Sequence, residues 1–144
     1  MTTALIDTSV LLKWLDVAGD DEVRSAQALR RGHLDGTAMV RILDLAIYEL
    51  SNVLIRRRRW TAEVAADQLD DLLLFVGRPV ALDRSWLRDA LGLAEQHSLS
   101  RYDAHWVAAA RHLGVPLVSA DRKLLDTGLA ESPTAAATRL GLFR

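Results

Sequence analysis

Cysteine is absent from this sequence of 144 residues. Its absence excludes disulfide frameworks, thiolate zinc sites and cysteine nucleophiles, and it is typical of a protein kept in a reducing cytoplasm. Long apolar runs are lacking as well, because charged residues interrupt every apolar stretch well before the roughly 18 residues that a membrane span needs. The N-terminus also lacks the basic segment and apolar run of a signal peptide. We therefore expect a soluble, unprocessed, cytoplasmic protein without membrane contact.

The sequence also lacks an excess of charge of either sign. It has 18 Lys and Arg residues against 19 Asp and Glu residues, which gives a formal net charge of −1. A polyanionic partner would therefore have to be bound by local basic patches and not by a global field. Apolar residues make up 50% of the chain, enough for one core of ordinary size. We predict a single domain over residues 1–144.

Short apolar runs alternate with stretches of helical periodicity along most of the chain. Strands are predicted at 3–6, 37–40, 79–82 and within 114–120. Helices are predicted at 9–15, from Asp20 and Asp21 to about 36, and at 44–59, 61–75, 85–98, 100–114 and 121–129. No element is assigned to the Ala- and Thr-rich stretch 134–138. This alternation predicts an α/β fold, with a parallel sheet covered by helices on both faces.

Two aspartates stand where a short apolar strand gives way to a helix. Asp7 lies between ALI and the helical stretch SVLLKWL, and Asp121 lies between LVSA and RKLL. Aspartate is a favoured helix N-cap, so each residue has an ordinary structural explanation when it is considered alone.

Two further carboxylates fall on helical faces that otherwise carry apolar residues. Asp103 forms a potential capping box with Ser100, but it shares its face with Trp106 and Val107. Glu49 lies in mid-helix, four residues after Leu45, on the predicted buried stripe. An isolated buried carboxylate costs several kcal/mol, so Glu49 requires either a salt bridge to the arginines at 56–59 or another partner.

The four carboxylates are explained better together than one at a time. In an open parallel sheet the carboxyl ends of the strands meet at one crevice, where ligands bind. Asp7 and Asp121 follow two such strands, and Asp103 opens the helix that precedes the second. Carboxylates gathered at one edge repel one another, which favours a hard divalent cation such as Mg²⁺ or Mn²⁺ between them.

Four segments together resemble the acidic motifs of PIN-domain ribonucleases, specifically the VapC toxins of type II toxin–antitoxin pairs. The segments are IDTSVLLKWL at 6–15, AIYELSNVL at 46–54, LSRYDAHWVAAA at 99–110 and LVSADRKL at 117–124. Their order and spacing resemble the family pattern over about residues 4–129. The stretch MVRILDLAIYE before the glutamate lacks the proline that family members often carry.

The resemblance implies a PIN-like α/β/α sandwich with a short central parallel sheet. It also implies Mg²⁺- or Mn²⁺-dependent hydrolysis of RNA phosphodiester bonds, in transfer or ribosomal RNA, with metal bound by Asp7, Glu49, Asp103 and Asp121. Thr8 or Ser9 would hold a water on the metal. The carboxylates position metal and no histidine is required, so His33, His97, His105 and His112 are interpreted as surface or packing residues.

The same resemblance implies partners. A VapB-type antitoxin would bind a groove among the early helices, and the toxin would form a homodimer or a toxin–antitoxin hetero-oligomer. Candidates for the apolar docking surface are Trp14, Leu15, Trp60 and residues 72–75. Candidates for a basic rim that binds RNA are Lys13, Arg101, Arg122 and Lys123, whereas the run Arg56 to Arg59 is more simply a solvated helix terminus.

Two other functions are compatible with parts of the pattern. An aspartate-nucleophile phosphatase also places Asp after its first strand, but it needs a second Asp two residues on, where this chain has Ser9. A non-catalytic module that binds RNA or protein would use the same acidic residues only as caps and salt-bridge partners. Such a module would not be stabilised by millimolar Mg²⁺, whereas a metal site would be.

Overall fold

The computed structural model describes residues 2–17 and 22–143. Asp20 and Asp21, where the second helix was predicted to begin, lie outside the described residues. The helix itself is present from Val23 onward.

A three-stranded parallel sheet forms the centre of the molecule. The strands are β1 (Ala4–Ile6), β2 (Val40–Arg41) and β3 (Leu117–Val118), in the order β2-β1-β3. All three side chains of β1 have no exposed surface. Successive side chains of a strand point to opposite faces, so both faces of the sheet are covered.

The strand predicted at 79–82 is wrong, since only one residue there joins the sheet edge. Val80 makes an isolated parallel bridge with Leu43, in which its N–H donates to the Ile42 carbonyl at 2.8 Å. The preceding residue is Pro79, which has no N–H to extend a ladder. Asp83 then caps a 3-10 turn, and the chain leaves the edge.

Helices occupy most of the remaining described chain. They are α1 (Thr8–Leu15), α2 (Val23–Asp35), α3 (Leu45–Arg56), α4 (Ala62–Val76), α5 (Leu87–His97), α6 (Arg101–Leu113), α7 (Arg122–Asp126) and α8 (Pro133–Arg139), with a 3-10 turn at Arg84–Trp86 before α5. Helix α5 packs along α6, while α2 packs against both α1 and α8. The predicted α/β/α architecture is confirmed. None of the helices within the described ranges is long and apolar enough to cross a bilayer.

Two helices end earlier than their periodicity predicts. Helix α3 stops at Arg56 and not at Arg59, whose positive φ of 55° reverses the chain. Helix α7 stops at Asp126 and not at 129, because Gly128 with φ of 76° follows it. In both cases a left-handed residue is incompatible with continued α-helix.

The Ala- and Thr-rich stretch near the C-terminus is helical, which the sequence analysis did not predict. Ser132 caps α8 by accepting a hydrogen bond from the Ala135 N–H at 3.1 Å, and Pro133 occupies the first turn. The Thr134 N–H also donates to Glu22 at 3.0 Å, at the start of α2. Helix α8 therefore contacts the start of α2, which is distant in sequence.

Candidate functional site

Asp7 joins the end of β1 to the start of α1. Its Oδ1 accepts hydrogen bonds from the Ser9 N–H at 3.0 Å, the Ser9 hydroxyl at 2.5 Å and the Val10 N–H at 3.3 Å. The residue is nevertheless only 5% exposed, and burial raises the pKa of its carboxyl from 3.8 to about 6. The nearby charge of Asp103 acts in the same direction. Asp7 therefore caps the helix, and ionisation of its carboxyl costs free energy because the group is buried.

Two serine hydroxyls connect the ends of β1 and β3. The Ser9 Oγ accepts from the Ala120 N–H at 2.8 Å and lies 3.4 Å from the Ser119 Oγ. Ser119 is fully buried, accepts from the Asp121 N–H at 3.0 Å and also hydrogen-bonds the Asp7 carboxylate. The sequence analysis missed Ser119. The available signal was a hydroxyl two residues before Asp121, at the end of an apolar strand.

Asp121 caps α7 as the sequence predicted. Its Oδ1 accepts from the Lys123 N–H at 3.0 Å, and its own N–H is held by Ser119. The backbone positions of Asp7 and Asp121 are thus coupled through the two serines at adjacent strand ends.

Glu49 receives two hydrogen bonds on one oxygen. The Thr8 hydroxyl donates to Oε1 at 2.8 Å, and the Trp106 indole N–H donates to the same atom at 2.9 Å. The residue is half-buried at the border of the apolar stripe, since the fully buried positions of α3 are Ala46, Leu50 and Leu54.

The alternative of a salt bridge from Glu49 to the arginine run is wrong. Among those arginines, Arg58 pairs instead with Asp16 at 2.9 Å. The run begins as α3 ends, whereas Glu49 lies about two turns earlier, where Thr8 and Trp106 reach it.

The pKa of Asp103 is affected by two of the other carboxylates. Burial raises its pKa most, followed by the negative charges of Asp121 and Glu49, while Lys123 opposes the shift. Its N–H donates to the Ser100 Oγ at 3.0 Å, which is one half of the predicted capping box. The charge of Asp103 also acts on Asp7. Asp103 therefore interacts electrostatically with each of the other three predicted carboxylates.

The donor chemistry of this cluster fits a hard divalent cation. It offers carboxylate and hydroxyl oxygens, and raised carboxyl pKa values report the repulsion and desolvation that a cation relieves. Within residues 2–17 and 22–143, however, no three His, Asp or Glu side chains are arranged as a ready ligand set. A Mg²⁺ ion keeps several waters and can be bound through only one or two carboxylates.

The basic residues near the cluster differ in accessibility. Arg101, Arg122 and Lys123 are exposed, as a rim that binds RNA requires. Lys13 is only 9% exposed, so its predicted place in that rim is wrong. It lies in the first helix on a face that packs inward.

Two of the histidines have clear packing contacts. His33 accepts the Val40 N–H at Nδ1 at 3.1 Å, lies 3.0 Å from the Phe75 carbonyl through Nε2, and meets the Phe75 ring edge-on. His112 contacts the Asp89 carboxylate at 2.6 Å and stacks on Trp86. His105 is half-buried, and burial lowers its pKa.

The predicted docking residues divide between core and surface. Trp14 and Leu72 are buried, and the Trp14 indole N–H donates to the Ala26 carbonyl at 2.8 Å. Leu74, by contrast, is 85% exposed. A hollow of about 140 Å³ lies between α1, α2 and α4, and we name it the early-helix groove. It is lined by Trp14, Leu15, Arg30, Gln68, Asp71, Leu72 and Phe75.

Comparisons with known proteins decide the family. The PIN domain model matches residues 4–129, which contain all four carboxylates. Ribonuclease VapC3 of Pyrobaculum aerophilum is 35% identical over 109 residues, which are 73% of this chain and 82% of that protein. The chain belongs to the VapC group of the PIN-domain family. The resemblance predicted from the four motifs is thereby confirmed.

Solved structures agree with this PIN domain in fold. The crystal structure of PAE2754 from Pyrobaculum aerophilum has a TM-score of 0.69 and 24% identity, and the match covers 99% of this chain and 98% of that one. A chain of a toxin–antitoxin complex from Klebsiella pneumoniae has a TM-score of 0.63 and 16% identity, over 91% and 98%. FitAcB from Neisseria gonorrhoeae gives 0.63 and 16%, over 92% and 99%.

Proposed function

We propose that this PIN domain is the toxin of a type II toxin–antitoxin pair, and that it is a Mg²⁺- or Mn²⁺-dependent endoribonuclease. The observation that carries the proposal is that Asp103 lies close enough to Asp7, Glu49 and Asp121 for their charges to interact. The similarity of most of the chain to the ribonuclease VapC3 also supports the proposal. We also propose that residues 1–144 form a single PIN domain.

Each polar residue of the cluster has a role in this proposal. The four carboxylates would hold the cation, some of them through its bound waters, and Ser9 and Ser119 fix Asp7 and Asp121 relative to each other. Thr8 and Trp106 orient Glu49 by donating to its Oε1. When bound, a divalent cation supplies Lewis acidity towards the phosphate and lowers the pKa of water. The carboxylates position that cation and carry no proton themselves.

The test is RNA cleavage by the purified protein with Mg²⁺, with Mn²⁺ and with EDTA. Asp7→Asn should abolish cleavage, because it removes a charge from the cluster while Asn can still accept the capping hydrogen bonds. Asp83→Asn is the matched control: Asp83 accepts from the Ser85 N–H at 2.9 Å and the Ser85 hydroxyl at 2.8 Å, but it caps the exposed 3-10 turn. Cleavage in EDTA, or full activity of Asp7→Asn, would refute the mechanism.

The proposed substrate is transfer or ribosomal RNA. Sequencing of RNA 5′ ends after induced expression, with the Asp7→Asn protein as the negative strain, reports the molecule and the position that are cut. New 5′ ends spread evenly over messenger RNA would contradict this substrate class.

The proposed partner is a VapB-type antitoxin that covers the early-helix groove. One neighbour in fold supports this, since it is a chain of a toxin–antitoxin complex. Leu74 does not line the groove, but it is exposed on α4, which contributes Leu72 and Phe75 to it, and is a candidate contact beside the groove. Leu74→Asp should weaken inhibition by the antitoxin without loss of cleavage, whereas Leu91→Asp, also exposed but on α5, should leave inhibition unchanged.

A non-catalytic module that binds RNA or protein is the second candidate. The observation that favours it is the capping role of Asp7 and Asp121, together with the lack of a ready ligand set within the described ranges. Thermal unfolding with 0 to 10 millimolar Mg²⁺ separates the two, on the order of concentrations at which weak metal sites fill. A rise in melting temperature that Asp7→Asn removes supports the nuclease, and no rise supports the module.

A further inference from the structure

Helix α4 carries a stripe of acidic residues that ends in an exposed leucine. Every charged residue of the helix is acidic, and side chains spaced by three, four and seven residues share one helical face. The stripe with this spacing consists of Asp67, Asp70, Asp71 and Leu74, which are all exposed. The last turn of α4 contains no basic residue, so the negative end of the helix dipole adds to the charge. The acidic stripe, as we call these four residues, therefore presents an apolar side chain, 85% exposed, in a negative field.

A hollow with two arginines lies where the 3-10 turn at Arg84–Trp86 runs into α5. Its volume is about 480 Å³, and its lining residues are Arg84, Leu87, Arg88 and Leu91. These residues have the same spacing of three, four and seven as the acidic stripe. Both arginines are exposed, and so is Leu91, at 52%. The basic hollow, as we call it, therefore presents apolar side chains beside two positive charges.

Both surfaces lack a counter-charge within residues 2–17 and 22–143. No ion pair there includes an aspartate of the acidic stripe or an arginine of the basic hollow. Helix α4 packs against α3, whereas α5 packs against α6 and the 3-10 turn. The two surfaces are therefore carried by different groups of helices, and each exposes charges that a partner could neutralise.

We propose that the acidic stripe of one copy of this chain docks into the basic hollow of a second copy. Leu74 then covers Leu87 and Leu91, and the aspartates pair with the two arginines. The contact uses a different surface on each copy, so it is head-to-tail, and each associated pair keeps one stripe and one hollow for further copies. The inference goes beyond the proposed function and does not depend on RNA cleavage.

Charge favours this arrangement over a symmetric one. Two acidic stripes placed face to face would repel each other, and so would two basic hollows, because like charges at an interface are costly. A stripe in a hollow brings aspartates to arginines and covers the leucines of both. The phosphates of RNA would also pair with the arginines, but they would leave Leu87 and Leu91 without an apolar contact. A second copy is therefore the occupant that matches both the charge and the apolar part of the hollow.

The contact is small, because each copy contributes only about two turns of helix. Interfaces of this size are weak and transient, so we expect a dissociation constant on the order of 100 µM at low salt. Salt screens exposed charges, so the association should weaken as the ionic strength rises.

Sedimentation velocity at increasing protein concentration tests the contact by disabling one surface at a time. The stripe variant carries Asp71→Asn and Leu74→Ser, and the hollow variant carries Arg88→Gln and Leu91→Ser. All four positions are exposed, so the fold should be kept, which circular dichroism checks. Each variant alone should associate about ten-fold or more weakly than the unchanged chain. An equimolar mixture should regain association, because one variant keeps its hollow and the other keeps its stripe.

Leu34→Ser is the matched control, since Leu34 is 73% exposed on α2 and belongs to neither surface. It should associate like the unchanged chain. A symmetric dimer through another surface would be equally present in all of these proteins and would not respond to mixing. The proposal is overturned if the unchanged chain shows no concentration-dependent association, or if either variant associates as well as it does. A mixture that associates no better than its two components would also overturn it.

RNA as the occupant of the basic hollow gives a different pattern. Binding of short single-stranded RNA is measured by fluorescence anisotropy in EDTA, with the hollow variant and the unchanged chain. If the hollow variant keeps its self-association but binds this RNA more weakly, the hollow is a phosphate site and the proposal is wrong. Equal RNA binding together with lost self-association is the result that we expect.

Discussion

The Trp106 indole N–H donates a hydrogen bond of 2.9 Å to the Glu49 Oε1, across 57 residues of sequence. The Thr8 hydroxyl donates to the same oxygen at 2.8 Å. Three helices, α1, α3 and α6, therefore meet at a single carboxylate oxygen. Trp106 is 1% exposed, so the indole is both a core side chain and the group that orients Glu49.

Trp106→Phe tests this relationship. Phenylalanine keeps an aromatic ring in the core but cannot donate, and hydrogen bonds to charged groups contribute about 1.5–3 kcal/mol. We expect the variant to need a higher Mn²⁺ concentration for half-maximal RNA cleavage, because Glu49 is held less firmly. Trp86→Phe is the control for a truncated ring, since Trp86 is 9% exposed and stacks on His112. Equal metal dependence of both variants would show that Trp106 only packs.

The stabilising effects of Asp7 and Asp83, which both cap a helical turn, should depend on pH in opposite ways in metal-free buffer. The folded-state pKa of Asp7 is raised to about 6, so its contribution to stability is present below pH 4 and is lost as pH rises through 6. Asp7→Asn should therefore increase the free energy of unfolding at pH 7, by up to about 3 kcal/mol, and by little at pH 4.

Asp83→Asn provides the comparison for that measurement. Hydrogen bonds from Ser85 lower the pKa of Asp83, so its ionised form stabilises the fold above its ordinary pKa. Its replacement should reduce stability at pH 7 and have less effect as pH falls through the folded-state pKa. Urea unfolding of both variants at pH 3, pH 4 and pH 7, with EDTA, measures the two slopes. Parallel behaviour would mean that Asp7 is an ordinary cap.

Ser9→Ala should uncouple the ends of β1 and β3. The substitution removes a donor from Asp7 and leaves the Ala120 N–H without its acceptor, a loss of about 1–3 kcal/mol in the free energy of unfolding. Ser85→Ala removes the equivalent hydroxyl from the exposed Asp83 cap and should cost clearly less. Chemical denaturation of the two variants makes the comparison, and similar losses would argue against the coupling.

Two helical glycines should give opposite results when replaced by alanine. In an open helix interior, alanine is favoured over glycine by roughly 0.5–1 kcal/mol, and a Cβ on Gly92 in α5 meets nothing within 4 Å. A Cβ on Gly32 in α2 would lie 2.9 Å from the Leu142 Cδ2 and 3.2 Å from the Ala38 Cβ.

We therefore expect Gly92→Ala to raise the melting temperature and Gly32→Ala to lower it or to gain nothing. Differential scanning calorimetry of the two proteins decides the matter. Equal stabilisation would mean that the Leu142 side chain moves aside at no cost.

Local patterns predicted most of the fold. The apolar runs at 3–6 and 117–118, and the helical periodicity between them, depend on neighbouring residues and were recognisable as such. The strand at 79–82 failed because its apolar residues meet the sheet at one bridge only, beside a proline. Helix α8 was missed because its buried residues, Ala136 and Ala137, are small, and because it packs on α2, more than 100 residues away in sequence.

The sequence by itself determined the four carboxylates as candidates and the family to which they belong, because their identity and spacing are properties of the chain. Only the tertiary structure decided which residues contact them. It gave Glu49 a tryptophan and a threonine in place of an arginine, added Ser119 to the aspartates, and removed Lys13 from the surface. The reason is physical: burial, which raises the pKa of Asp7, and contacts between distant segments are set by packing, and sequence spacing does not encode them.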